Sequence, residues 1–178
     1  NHNDAGPFGV AVPSKIWRYR VGQLKDMGCN AIRASSNPFM PEFYRVCDEL
    51  GMLVLSELWD KWAGDDWRGW VAGGKIWEVD LKTDYDVYFL KWWKRDMTDW
   101  MRRDRNHPSI ILWTLGNEIV EEKVLADINW AKHAFDTCRK LDPTRKLVGN
   151  AAHTKSVELD IYGENGTAEV VDYFETYV

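Results

Sequence analysis

"SIILWTLGNE" spans Ser109–Glu118: an apolar run that stops on an amide beside a carboxylate. A short continuous apolar run bounded by turn signals suits a strand buried on both faces, as in parallel sheets. The charged "RDRNHP" (103–108) leads into it and turns at His107-Pro108. "MLVLSEL" (Met52–Leu58) repeats the pattern earlier, and "AIRAS" (Ala31–Ser35), "RKLVGNAA" (Arg145–Ala152) and "VELDIYGEN" (Val157–Asn165) are further strand candidates. Helical spacing fills the intervals. It predicts helices over Pro13–Met27, with Gly28 as a stop, and over Pro41–Gly51, with proline at its start and glycine at its end. It also predicts helices over Tyr85–Arg103 and Glu121–Leu141, and the start of another over Val170–Val178. Such alternation means an α/β fold with a parallel sheet of about five strands. A full (β/α)8 barrel takes roughly 250 residues, so 178 residues suit a smaller open sheet or a barrel missing pieces.

Composition narrows the function. Hydrophobic residues make up 45% of the chain, enough for a sizeable core. The net charge is -5, without a dense Lys/Arg block, which argues against nucleic acid as a main partner. No apolar run is long enough to span a membrane, so no membrane partner is expected. Cys29, Cys47 and Cys138 are odd in number and widely spaced, and read as buried free thiols. Eleven tryptophans suit a core, with a few left to stack on flat apolar faces such as sugar rings. The Trp-, Gly- and Asp-rich stretch Asp60–Asp80 is long for a loop, and long loops are often functional. Gly73-Gly74 lacks the lysine and strand context of a phosphate loop. The chain opens on Asn1, shows no signal peptide, and is expected to be a processed or excised piece whose compartment cannot be read.

In parallel α/β folds, chemistry sits at the carboxyl ends of strands. Glu57, Glu118 and Glu164 fall there, with Arg33 nearby. Carboxylates beside an arginine and tryptophans suit glycoside hydrolysis. One carboxyl gives a proton to the leaving oxygen, and the other attacks the sugar or activates water. Trp113 could raise the pKa of Glu118 by desolvation, which suits a general acid. The competing reading makes such glutamates helix caps or ion-pair partners, with Glu57 and Arg33 a buried pair on neighbouring strands. His107 reads as a structural turn residue and His133 as surface or packing, while His153 follows a strand and could face the pocket.

"GCNAIRASSNPFMPEFYRVCDELGMLVLSE" followed by "RDRNHPSIILWTLGNE" closely resembles the catalytic barrel of family 2 glycoside hydrolases, and "NHNDAGPFG" resembles the end of its first strand. The resemblance covers nearly all of residues 1–178 and implies part of a (β/α)8 TIM barrel, roughly strands 2–6. It implies cleavage of terminal β-linked sugars with retention. β-Galactoside is the first choice, with β-glucuronide and β-mannoside as alternatives. Asn117-Glu118 matches the family's Asn-Glu pair, which makes Glu118 the acid/base and Asn117 a contact to the sugar's 2-hydroxyl. His2 matches a sugar-contacting histidine, with Asp4 beside it. Arg33 matches the arginine that holds the nucleophile, and Trp59 falls in the loop after the third strand, where the family lines its pocket.

Ser36 stands where galactosidases of the family usually carry a histidine, so a serine with a water, or a different sugar, is expected there. The family nucleophile lies on a seventh strand that the resemblance puts beyond Val178. The chain alone is therefore expected to be inactive, with open barrel edges that invite self-association. "SELWDKW" (56–62) has no histidine where some members bind Mg²⁺, so neither metal nor cofactor is expected. Three alternatives stand beside this reading. The chain is a non-catalytic piece, or a self-contained hydrolase pairing Glu118 with Glu164 or Glu57. In the third it is a carbohydrate-binding module using Trp59, Trp62, Trp67 and Trp70.

Overall fold

The computed structural model describes residues 5–35, 37–59, 71–72, 75–76, 86–117, 129–150 and 159–163. After a 3-10 turn at Gly6–Phe8, the chain forms α1 (Ser14–Asp26), β1 (Ala31–Ala34), α2 (Pro41–Leu50) and β2 (Leu53–Trp59). Then come β3 (Val71–Ala72), β4 (Lys75–Ile76), α3 (Asp86–Asp104) and β5 (Ile110–Asn117). Last are α4 (Trp130–Leu141), β6 (Lys146–Asn150) and β7 (Ile161–Gly163). Local chemistry sets the boundaries. Pro41 begins α2, where its missing N–H costs nothing. Gly51 ends it at φ 67°, a left-handed cap whose N–H returns to the Cys47 carbonyl. The expected helix over Val170–Val178 lies outside the described residues. Part of the long Asp60–Asp80 stretch is not loop: β3 and β4 form a two-stranded antiparallel sheet, pairing Val71 with Ile76.

The other five strands form one sheet in the order β1-β2-β5-β6-β7, every pair parallel. Neighbours in space follow neighbours in sequence, with α2, α3 and α4 on the crossovers. A doubly wound sheet reverses this progression at a switch point. Here it never reverses, which is how barrels are wound.

The two faces of the sheet differ. Towards the helices, the Ser56 hydroxyl hydrogen-bonds Tyr44 of α2 at 2.8 Å, and burial pushes the Tyr44 hydroxyl up to about 12. Trp113 of β5 packs edge-on against Trp100 of α3, ring centroids 4.8 Å apart. Val54, Leu115 and Leu147 are buried with Phe43, Met97, Met101 and Phe135 in the same core. On the other face, Leu53 of β2 is exposed, and Leu55 and its register partner Leu112 of β5 are half-buried. The runs read as buried on both faces are thus fully covered only on the helix side. Cys47 and Cys138 are buried, and burial pushes the Cys47 thiol up to about 12. Cys29 departs from expectation: it is exposed in the turn between α1 and β1.

The amino ends of the strands are locked by polar networks. Asp142 accepts from Trp113 Nε1 at 2.8 Å, from the Thr144 N–H at 3.0 Å and from Arg145 Nη1 at 2.6 Å. Arg145 also donates to the carbonyls of Ile110, Arg105 and His107, at 2.5, 2.8 and 3.0 Å. His107 Nδ1 meets Asp48 at 2.5 Å, and the Ser109 N–H donates to the same carboxylate at 2.9 Å. His107 is therefore the structural turn residue that its position beside Pro108 suggests, and His133 is exposed on α4. Burial works to raise the Asp142 carboxyl, but hydrogen bonds from Thr144, Trp113 and Arg145 outweigh it and hold it well below the usual range.

A carboxyl lowered in the folded state adds stability above its unfolded pKa of about 3.9, and loses it as pH falls through the folded value. Asp142→Asn should therefore cost about 3 kcal/mol near neutrality, the scale of breaking a buried charge pair. In urea titrations across pH, the gap from the parent protein should close as pH falls below about 4.

Candidate active site

At the carboxyl ends of β1, β2 and β5 the sheet carries a polar cluster on the face opposite the helices. Parallel register puts Arg33 beside Leu55, two residues before Glu57 on the same face of β2. Glu57 is paired in register with Thr114 of β5, and Trp59 with Gly116, next to Asn117. Arg33 can therefore reach both neighbours. Its Nε and Nη2 donate to one oxygen of Glu57, at 3.0 and 2.8 Å. Nη2 also donates to Asn117 Oδ1, at 2.6 Å.

Burial gives this pair its weight. Glu57 has 0% of its side chain exposed, against 35% for Arg33. A carboxylate without exposed surface needs a charged partner, because desolvation alone costs several kcal/mol. The expected ion pair on neighbouring strands is present, and it reaches one strand further, to Asn117. The guanidinium is tied through Nε and Nη2, while the side chain as a whole stays partly exposed. That geometry suits binding an anion or a polar ligand.

Beside the cluster is an aromatic wall. Trp59 packs edge-on against Phe89 of α3, centroids 5.0 Å apart, and against Trp130 of α4 at 5.8 Å. Trp59 is the last residue of β2, not part of the following loop, and only 5% of it is exposed. Its ring is committed to neighbours and forms a wall, where sequence reading expected a residue in the loop lining the pocket. Phe89 and Trp130 went unnoticed in the sequence. Their signal was there: both are aromatics near the starts of helices that follow strands. Trp113 also departs from expectation. Its ring faces α3, and its Nε1 is bound to Asp142, so it is turned to the helix layer instead of forming an apolar wall at the strand end.

Of the site residues expected from the sequence, Arg33 and Asn117 are brought together, with Glu57, and Trp59 lies on β2 nearby. Glu118, His2, Asp4 and Ser36 lie outside the described residues, as do Glu164, His153, Trp62, Trp67 and Trp70. Among the described residues there is no cluster of three or more potential metal ligands, and no helix is long and apolar enough to cross a membrane.

A parallel sheet wound in one direction, with an arginine–carboxylate–amide cluster at its carboxyl edge, defines an enzyme-type barrel. The chain belongs to glycosyl hydrolases family 2: residues 1–175 match the profile of that family's TIM barrel domain. It is 36% identical to an inferred beta-glucuronidase of Formosa agariphila over 98% of its own length and 15% of that protein. It is 38% identical to the beta-galactosidase BoGH2A of Bacteroides ovatus over 68% of its length and 13% of that protein. Among solved structures, a beta-glycosidase from Bacteroides vulgatus superposes with a TM-score of 0.72 at 39% identity, covering 95% of this chain and 20% of that one. The chain thus spans about a seventh of the curated relatives it matches.

If Glu57 depends on Arg33 for its charge balance, Arg33→Met should destabilise the fold by about 3 kcal/mol by removing the guanidinium that compensates a buried carboxylate. Adding Glu57→Leu to that variant should recover most of the loss. Denaturation midpoints of the two single variants and the double variant test this, and additive losses would count against it.

Proposed function

We propose that the polypeptide carrying this chain hydrolyses terminal β-glycosides with retention of configuration, with a β-galactoside as first substrate. The observation that carries this is the Arg33–Glu57–Asn117 cluster, which sits at the strand ends where barrel enzymes keep their chemistry. Glu118 directly follows Asn117. In this reading it protonates the glycosidic oxygen as the bond breaks and then takes a proton from the water that releases the sugar. Asn117 binds the sugar beside the scissile bond, His2, Asp4 and Ser36 supply further contacts, and Arg33 steadies the attacking carboxylate. Glu57 is a poor candidate for that carboxylate, because it is fully buried and bound to Arg33. The nucleophile is a different carboxyl group, and the chain assayed alone is expected to give no turnover.

The names of the relatives divide between beta-galactosidase and beta-glucuronidase. A β-glucuronide is therefore the second substrate to test, and a β-mannoside the third. Aryl β-glycosides of the three sugars, offered to the full polypeptide and to Glu118→Gln, test both activity and role. For a poor leaving group the variant should lose about 10²- to 10⁴-fold in kcat, the range of general acid catalysis. For dinitrophenol, which departs without a proton, the loss of the bond-breaking rate should be far smaller. Equal loss for both leaving groups would remove Glu118 from the acid role.

A further inference from the structure

We propose that Arg103, held by the buried carboxylate of Asp104, is a positioning residue for the loop that joins β1 to α2, and that this anchor sets how sharply the site discriminates among β-linked sugars. The inference rests on the function proposed above and deepens it. Both residues end α3, in the charged stretch that leads into β5.

Asp104 has 0% of its side chain exposed, so its charge must be matched from within the protein. Arg103 matches it with a fork: Nε donates to Oδ1 and Nη2 to Oδ2, both at 2.6 Å. Two parallel bonds fix the plane of the guanidinium. Nη2 carries a second hydrogen, and it also donates to the Phe39 carbonyl, at 2.7 Å. Phe39 lies between the end of β1 at Ala34 and the start of α2 at Pro41, outside both elements. A backbone group there needs a partner from elsewhere. The Phe39 ring is buried against Phe43 and Trp17, with centroids 4.6 and 5.7 Å apart. Its backbone also hydrogen-bonds the Tyr44 hydroxyl, which is tied to Ser56 of β2, the neighbour of Glu57. One end of the loop is thus referenced to both α3 and β2.

The other end leaves β1 one residue past Arg33, at the carboxyl edge where the polar cluster sits. Residues 35–38 connect β1 to the anchored Phe39, so a shift at Phe39 is passed to the border of the site. Groups that place a substrate can lose about 10²-fold in rate on a displacement of about 1 Å. A lysine at 103 would keep a positive charge beside Asp104. It lacks the planar fork that makes the carboxylate and carbonyl contacts together. Arg103→Lys therefore separates charge compensation from loop geometry.

The test uses the full polypeptide with and without Arg103→Lys. It reads kcat/KM for aryl β-galactoside, β-glucuronide and β-mannoside, with hydrogen exchange of the loop amides measured beside it. A merely structural role lowers the active fraction, which cancels in the ratio of kcat/KM between two sugars. The positioning role predicts that the preference for the best sugar over the other two falls about 10-fold. It also predicts exchange about 10-fold faster in peptides covering Phe39 and Met40, the scale of one lost hydrogen bond to a charged group, with β5 unchanged. An unchanged preference in the folded variant would overturn the proposal, and so would unchanged exchange at the loop. If Arg103→Lys does not fold, Arg103→Met combined with Asp104→Leu, which leaves no buried charge, is read in the same way. Unfolding of both would overturn the positioning role in favour of a structural one. A parent polypeptide without glycosidase activity, whose loop still exchanges faster in the variant, would retire the functional reading and the sugar discrimination with it, and leave the anchor standing.

Discussion

A carboxylate with no exposed surface must be matched by a charge, and much of this sheet is arranged around that demand at Glu57. Its partner Arg33 comes from β1 and donates onward to Asn117 of β5, so one buried charge pair links three strands at their carboxyl ends. The parallel register makes this possible. Arg33 and Glu57 lie two residues apart in register on one face, the reach of a guanidinium. A slip of one residue would turn Glu57 into the helix layer, among Val54, Leu115 and Trp113. The pair therefore guards register as well as charge.

The helix layer answers the same constraint from the other side. Ser56, next to Glu57, points the opposite way and hydrogen-bonds Tyr44 on α2. Leu58 is buried beyond it. Strand β2 thus alternates between a core that excludes water and a site that needs polar groups. Trp59 closes the strand by packing on Phe89 and Trp130, near the starts of α3 and α4. The helices are in this way pinned to the same strand end that carries the cluster.

Much of this was legible in the sequence. The apolar runs of β2 and β5 and the Pro and Gly boundaries of α2 follow from local rules, and the structure reproduces them nearly residue by residue. The likeness of "IRASSNP" and "LGNE" to a known barrel put Arg33 and Asn117 in one site. The link between them was not legible, because it depends on register across three strands, which no local pattern encodes. The burial of Trp59 was hidden for a similar reason. A tryptophan after an apolar strand looks the same whether its ring meets a sugar or Phe89. Cys29 escaped because thiols are usually buried, while a helix-to-strand turn exposes whatever it carries.

The polar networks at the two ends of the strands use the same chemistry to opposite effect. Arg145 spends donors of all three of its guanidinium nitrogens on Asp142 and three backbone carbonyls. Such a group is nearly saturated and has little left for a ligand; it rivets the turn after α4 to the amino end of β5. Arg33 is bound through Nε and Nη2 to side chains of two other strands, Glu57 of β2 and Asn117 of β5. Arg103 is bound in the same way, through Nε and Nη2 to Asp104 and the Phe39 carbonyl, so what sets Arg33 apart is that its partners are a fully buried carboxylate and an amide at the carboxyl ends of β2 and β5. That placement, and not a count of bonds, points to the carboxyl edge of β1, β2 and β5, where barrels keep their chemistry.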